Sequence, residues 1–171
     1  SNSKANVFDK IKQITNKNNV YFYNGDLFNI SDIFKIFSYH KIDLVIHFAG
    51  LKAVNESVKN PLIYYHSNIQ MTINLLNVMN KFNCKRIIFS SSATVYGNNI
   101  SPLKENMQTG NDITSPYGKT KHFIENILSD LFISDKQWSI VLLRYFNPIG
   151  AHHSGLIGEN PNDVPNNLMP Y

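Results

Sequence analysis

The sequence predicts an α/β protein built on a doubly wound parallel sheet of the Rossmann-like type, incomplete in this chain. Three observations carry that expectation. Short apolar runs rich in β-branched residues, at positions 43–46, 85–89 and 138–144, have the continuous character of buried parallel strands. Segments with apolar residues at helical spacing alternate with them. Hydroxyl and other polar side chains gather directly after the strands, at the carboxyl edge where open α/β sheets bind ligands.

Length and composition bound the rest. With 171 residues, 43% of them hydrophobic, the chain can bury one core, and no long Gly/Ser or charged run marks a second. The formal charge is +4, and Lys4, Lys10, Lys12 and Lys17 fall in the opening segment. They read as a solvated helix face and not as a nucleic-acid patch, because the rest of the chain mixes signs and its aromatics sit within strands and helices. Cys84 is the sole cysteine, which excludes a disulfide framework and a cysteine zinc cluster and fits a reducing compartment. No apolar run approaches the roughly 20 residues that a membrane span needs, and no signal-peptide pattern opens the chain. A soluble, cytoplasmic protein is expected.

In chain order, Val7, Phe8, Ile11 and Ile14 give residues 4–17 a helical period. Residues 20–23 read as a short strand that ends in Asn24-Gly25-Asp26-Leu27, and Ser31 is positioned to cap a helix carrying Ile33, Phe34, Ile36 and Phe37. The run at 43–46 is the clearest buried strand and delivers His47-Phe48-Ala49-Gly50, whose small residues let a flat ring approach the backbone. His47 by itself reads as packed. A long helix is expected from Pro61 to about Phe82, with Ile63, Tyr64, Met71, Leu75, Val78 and Met79 apolar and Ser67-Asn68 within it.

The strand at 85–89 runs into Ser90-Ser91-Ser92-Ala93-Thr94-Val95-Tyr96-Gly97, and the polar stretch 98–114 is a loop. Ser115 is a good N-cap and Pro116 fits the first helical position, so a helix is expected through Phe123, Ile124, Ile127, Leu128 and Leu131. Tyr117 and Lys121 then share a face. A free tyrosine, with a pKa of about 10, is a poor base at neutral pH, and a lysine one turn away favours its phenolate. The strand at 138–144 delivers Tyr145-Phe146-Asn147-Pro148 to the same edge, and the chain is loop-like from Ala151 onward.

Serine, tyrosine and lysine in this order resemble the catalytic set of the extended short-chain dehydrogenase/reductase superfamily. Five blocks, at residues 46–54, 90–97, 115–121, 143–152 and 165–171, are similar, in that order, to the UDP-glucose 4-epimerase (UDP-galactose 4-epimerase) family. The resemblance implies NAD as cofactor, UDP-glucose and UDP-galactose as substrates, no metal, and a homodimer formed through the helices that begin at Pro61 and Pro116. It divides the chain into a partial NAD-binding domain, residues 1–150, and the start of a substrate-binding region, residues 151–171.

The same resemblance assigns roles. Tyr117 takes the proton of the sugar 4-hydroxyl, Ser92 bonds that hydroxyl, and Lys121 lowers the tyrosine pKa and holds the nicotinamide ribose; all three also belong to the cofactor site. Asp26 and Leu27 lie at the dinucleotide, Phe48, Ala49, Gly50 and Lys52 line it, and Phe146 contacts the nicotinamide. Of Ser67 and Asn68, one reaches the pyrophosphate or nicotinamide side, and which one is left open. Lys52, Thr94, Asn147, Asn166, Asn167 and Leu168 join Ser92 and Tyr117 on the substrate. Read without the family, Gly25-Asp26 is a turn with a helix cap and Ala49-Gly50 is ordinary turn chemistry.

Within the superfamily the alternatives are a nucleotide-sugar 4,6-dehydratase or another extended short-chain reductase. A dehydratase needs an acid and a base just after the catalytic hydroxyl, where this chain has Ala93, Thr94 and Val95. The eight glycines contain no G-x-G-x-x-G or G-x-x-G-x-x-G loop, the device that brings a pyrophosphate to backbone N–H groups. The expectation is therefore the middle half of an epimerase, inactive by itself. The alternative is a truncated binding or scaffold protein without turnover.

Overall fold

The computed structural model describes residues 6–158. One unit is Gly25–Phe146; the other combines the described residues of the first 24 with those from Asn147 onward. In the second unit the expected first helix is present as α1 (Val7–Thr15), with Phe8 packed on Phe22 at 4.4 Å between centroids. The strand expected at 20–23 is not formed. The segment takes no place in the described sheet, and Tyr21, Phe22 and Tyr23 are 66%, 53% and 42% exposed. Strand propensity alone is weak, since a strand exists only where ladder hydrogen bonds and packing complete it.

The main unit holds a three-stranded parallel sheet in the order β1 (Val45–His47), β2 (Arg86–Ser92), β3 (Ser139–Tyr145). Its register sets Ile46 beside Ile88, Phe89 beside Leu142, Ser91 beside Arg144 and Ser92 beside Tyr145. The crossover from β1 to β2 carries α3 (Val54–Lys59) and α4 (Pro61–Lys81); that from β2 to β3 carries a 3₁₀ turn (Ala93–Tyr96), a loop and α5 (Pro116–Ser134). Such helical crossovers are what parallel neighbours require. Ahead of the sheet lies α2 (Ile30–Tyr39), which is capped by Asn29, whose side chain accepts from the Ser31 N–H at 3.1 Å. Ser31 is thus inside the helix and not its cap.

One core joins Ile33 and Phe37 of α2, Leu75, Leu76, Val78 and Met79 of α4, Ile124 and Leu128 of α5, Trp138, and Ile87 and Phe89 of β2. Strand residues alternate faces. The face bearing Ile87 and Phe89 belongs to that core, while the other exposes Ile46 (56%) and Val141 (46%). The strand expected at 43–46 begins two residues later and ends one later, and it is buried only at His47. Its apolar character was right, but a continuous apolar run shows that a strand suits burial on two faces, not that both are covered.

Candidate active site

All three strands point their carboxyl ends toward the same edge, and the candidate residues gather there because β2 ends in serines just before a chain reversal. Ser92 caps the 3₁₀ turn: the Thr94 N–H and the Thr94 hydroxyl both donate to Ser92 Oγ, at 3.3 and 3.0 Å. With both lone pairs of that oxygen engaged, its own proton is free to be given away. Tyr117 lies near enough for the Ser92 hydroxyl to favour its phenolate.

Tyr117 sits in the first turn of α5. Ser115 caps the helix through Gly118 N–H at 3.1 Å, and Pro116 occupies the first turn, as the sequence led us to expect. The fit around this turn is close. A Cβ on Gly118 would lie 2.7 Å from Ile113 Cγ2 and 3.0 Å from Thr94 Oγ1, so the helix can approach the Thr94 turn only with glycine there.

Lys121 lies one turn on and is buried. Its Nζ donates to the Ser90 carbonyl at 2.6 Å and stands 4.8 Å from the Phe89 ring centroid and 5.8 Å from that of Tyr117. Burial lowers its pKa to about 8. Here the expected electrostatics need correcting. Tyr117 is raised above 10.0 by burial, Ser92 pulls it back down, and Lys121 contributes no resolved effect. Desolvation of the phenolate outweighs an ammonium that is turned toward a backbone carbonyl.

The end of β1 presents Phe48, Ala49, Gly50 and Lys52 as exposed residues, with Phe48 6.1 Å from the Tyr145 ring. The Asn68 amide clasps the following residue: Oδ1 accepts from Leu51 N–H at 2.8 Å, and Nδ2 donates to Leu51 C=O and to Thr120 Oγ1, both at 3.1 Å. A Cβ on Gly50 would come within 3.1 Å of Asn68 Oδ1. Asn68 is 3% exposed, so its side chain is committed to protein; Ser67 is the half-buried member of the pair.

Asp26 forms a turn, accepting from Phe28 N–H through Oδ1 at 2.9 Å and donating its own N–H to Asp32 Oδ2 at 3.2 Å. Leu27 packs on the core, and its carbonyl accepts from Asn74 Nδ2 at 3.0 Å. Phe146 is 63% exposed at the end of β3, and Asn147 is an exposed residue of the other unit. Asn166, Asn167 and Leu168 lie outside the described residues.

Sequence reasoning missed a buried polar chain beneath the site. His47 Nε2 meets Thr72 Oγ1 at 2.9 Å, Thr72 donates to the Asn68 carbonyl at 2.7 Å, and Thr120 donates to the Tyr117 carbonyl at 2.7 Å. Because the Thr72 proton is spent on Asn68, His47 is the donor and carries its proton on Nε2. Burial first, and the charge of Lys121 second, lower the His47 pKa from 6.5 to about 4.

Between those values the unfolded chain takes up a proton that the folded one refuses, so stability falls as pH falls from 6.5 toward 4. His47 should contribute a loss on the order of 3 kcal/mol across that window. Urea unfolding at pH 7 and pH 4.5 should show a smaller drop for His47→Gln than for the parent. Equal drops would remove His47 from the account.

The sequence matches the NAD dependent epimerase/dehydratase family over residues 2–171. It is 52% identical to the UDP-glucose 4-epimerase of Bacillus subtilis (strain 168), across 100% of this chain and 50% of that protein. With UDP-glucose 4-epimerase 2 of Arabidopsis thaliana the identity is 53%, across 99% and 49%. The crystal structure of UDP-glucose 4-epimerase from Bifidobacterium longum in complex with NAD+ and UDP superposes with a TM-score of 0.94 at 51% identity, covering 99% of this chain and 50% of the other. The chain thus spans about half the length of the relatives it matches. On these grounds the chain belongs to the NAD dependent epimerase/dehydratase family.

Proposed function

We propose that this chain is the central part of an NAD-dependent epimerase that interconverts UDP-glucose and UDP-galactose. The observation that carries the reading is the Ser92 hydroxyl, oriented by Thr94 and placed near Tyr117 at the carboxyl edge of a parallel sheet. The names of the relatives support the substrate pair. The absence of carboxylates at Ala93, Thr94 and Val95 favours epimerisation over 4,6-dehydration.

The residues present fit a dinucleotide. Ala49 and Gly50 are small and exposed beside the flat Phe48, and Gly50 packs so closely on Asn68 that a Cβ there would come within 3.1 Å of Asn68 Oδ1. Phe48, Ala49, Gly50, Lys52, Ser67, Lys121 and Phe146 would hold NAD, with Asp26 and Leu27 at its far end. When bound, NAD supplies the hydride acceptor for oxidation at the sugar 4-carbon. Tyr117 removes the proton of the 4-hydroxyl, and Ser92 shares that hydroxyl and stabilises the phenolate. Lys121 lends positive charge beside the ribose. Lys52, Thr94, Asn147, Asn166, Asn167 and Leu168 are assigned to the substrate.

A coupled epimerase assay tests the reading on two samples. The intact protein should turn over UDP-galactose. The 171-residue chain alone should not, because it contains no glycine-rich loop to cradle the pyrophosphate, and millimolar NAD should not restore it. Turnover by the short chain would show that such a loop is dispensable; an inactive intact protein that retains NAD would favour a binding role.

We assign a homodimer to the intact protein, through the surfaces of α4 and α5. These helices expose Leu62 (81%), Ile63 (56%), Phe123 (43%) and Ile133 (64%). Pairing about a two-fold axis would cover such apolar area. Sedimentation equilibrium at micromolar concentration should return twice the subunit mass, and a monomer would exclude the dimer. Among the described residues no helix is long and apolar enough to cross a membrane. A cytoplasmic location, with no nucleic-acid or membrane partner, completes the reading.

A further inference from the structure

Tyr117, Lys121 and Glu125 recur every fourth residue of α5, so they form one stripe along the helix. Each of them faces a different one of the three consecutive serines that end β2. Lys121 Nζ donates to the Ser90 carbonyl at 2.6 Å, the Ser91 hydroxyl donates to Glu125 Oε1 at 2.5 Å, and Tyr117 lies near the Ser92 hydroxyl. Strand and helix therefore meet at three adjacent points, two of them direct hydrogen bonds.

The middle pin is the most heavily built. Glu125 is 4% exposed. Arg144, the register partner of Ser91 on β3, answers it with a fork: Nε to Oε1 at 3.0 Å and Nη2 to Oε2 at 2.9 Å. Its remaining nitrogen, Nη1, donates to the Tyr96 hydroxyl at 3.2 Å and to the Glu105 carbonyl at 3.0 Å, while the guanidinium stands 4.9 Å from the Tyr96 ring centroid. One carboxylate and one guanidinium thereby join β2, the 3₁₀ turn that carries Thr94, the loop beyond it, α5 and β3.

A buried ion pair is a poor device for stability, because desolvation cancels much of the attraction and apolar replacements are often as stable. A bidentate fork does restrict geometry, since its two parallel bonds tolerate little sliding. We propose that Glu125 and Arg144 are a positioning pair, which sets the register of α5 against the end of β2 and so holds the Tyr117 oxygen against the Ser92 hydroxyl. Neither residue is assigned to substrate or cofactor. The inference rests on the epimerase reading, in which that one oxygen moves the proton.

The variants are Glu125→Gln, Arg144→Lys and Ser91→Ala; the last removes only a hydroxyl and guards against the first two failing to fold. In the intact protein loaded with NAD, kcat should fall about 10-fold or more for the first two, while KM and NAD retention stay within about 2-fold. Ser91→Ala should move in the same direction by less. The acid limb of the kcat profile should shift to higher pH, because the Ser92 hydroxyl that favours the phenolate is held less closely to Tyr117. The other titratable groups around Tyr117 are Lys121 on its own helix and Tyr64 on α4, with Lys121 in turn acting on His47 of β1, and no variant replaces them.

A second readout needs no turnover. Amide hydrogen exchange should quicken at residues 90–94 and 116–121 in all three variants and stay unchanged elsewhere in the sheet. A lowered melting temperature with kcat, the pH limb and local exchange all as in the parent would overturn the proposal and leave the pair a stability element. A loss confined to KM or to NAD retention would overturn it as well. An intact protein without epimerase activity would instead overturn the proposed function, and the exchange pattern would still decide the positioning role.

Discussion

Tyr117→Phe in the intact protein is expected to keep NAD bound while epimerase turnover falls by about 100-fold or more, the usual scale for losing a general acid–base group. The substitution removes one oxygen and leaves the ring, so the half-buried packing at the start of α5 stays intact. Since Ser92 is the group that favours the phenolate while burial opposes it, Ser92→Ala should move the acid limb of the pH profile upward, and Tyr117→Phe should abolish that limb. A coupled assay across pH, with bound NAD measured on the same samples, checks both. Turnover of Tyr117→Phe at the parent level would remove Tyr117 from catalysis.

The largest effect on folding is expected from Gly97→Ala. Gly97 has φ +57°, and a Cβ there would lie 1.8 Å from the Asn111 carbonyl oxygen, 3.0 Å from its carbon and 3.2 Å from that of Asp112. These are backbone atoms of the loop leading back to α5, so no side-chain rotation relieves the clash. With ψ −129° this is a conformation essentially reserved for glycine, and the backbone by itself costs a side chain on the order of 1–3 kcal/mol. With the steric displacement added, the total should reach about 3 kcal/mol or more. For a chain of this size that lowers the melting temperature by roughly 6–12 °C. Gly155→Ala is the control, with φ +68° and nothing within 4 Å of the added carbon; it carries the backbone cost alone. Equal losses in the two variants would show that the loop at Asn111 yields freely.

Gly97 also ties folding to catalysis. It ends the 3₁₀ turn in which Thr94 orients Ser92, and the Gly110 N–H donates to the Val95 carbonyl at 2.9 Å, fastening the returning loop to the same turn. Gly97→Ala should therefore reduce turnover even below its melting temperature, whereas Gly155→Ala should not.

Much of the architecture was legible in local pattern. The caps at Ser115 and Pro116, the helices from Pro61 and Pro116, the parallel sheet and the serine-rich end of β2 follow from spacing and residue type. Spacing also put Tyr117 and Lys121 on one face, and extending it one turn would have found Glu125. Residues 20–23 show the limit of such reading, since their aromatic, β-branched pattern suits a strand that the described sheet does not include. Asn29 displaced Ser31 as the helix cap because two adjacent side chains of capping type cannot be ranked without the backbone.

What the amino-acid sequence determined by itself was the kind of most elements and the chemical inventory at the carboxyl edge, because helical and strand periods and the residues that end them are short-range properties of the chain. The tertiary structure alone decided which polar groups meet. It spent the Asn68 amide on Leu51 and Thr120, turned Lys121 to the Ser90 carbonyl, and set Arg144 beside Ser91 to answer Glu125. It also reversed the expected direction of the Tyr117 pKa. Desolvation and long-range hydrogen bonds come into being only when helix and sheet close on one another, and neither is encoded in the spacing of residues along a single element.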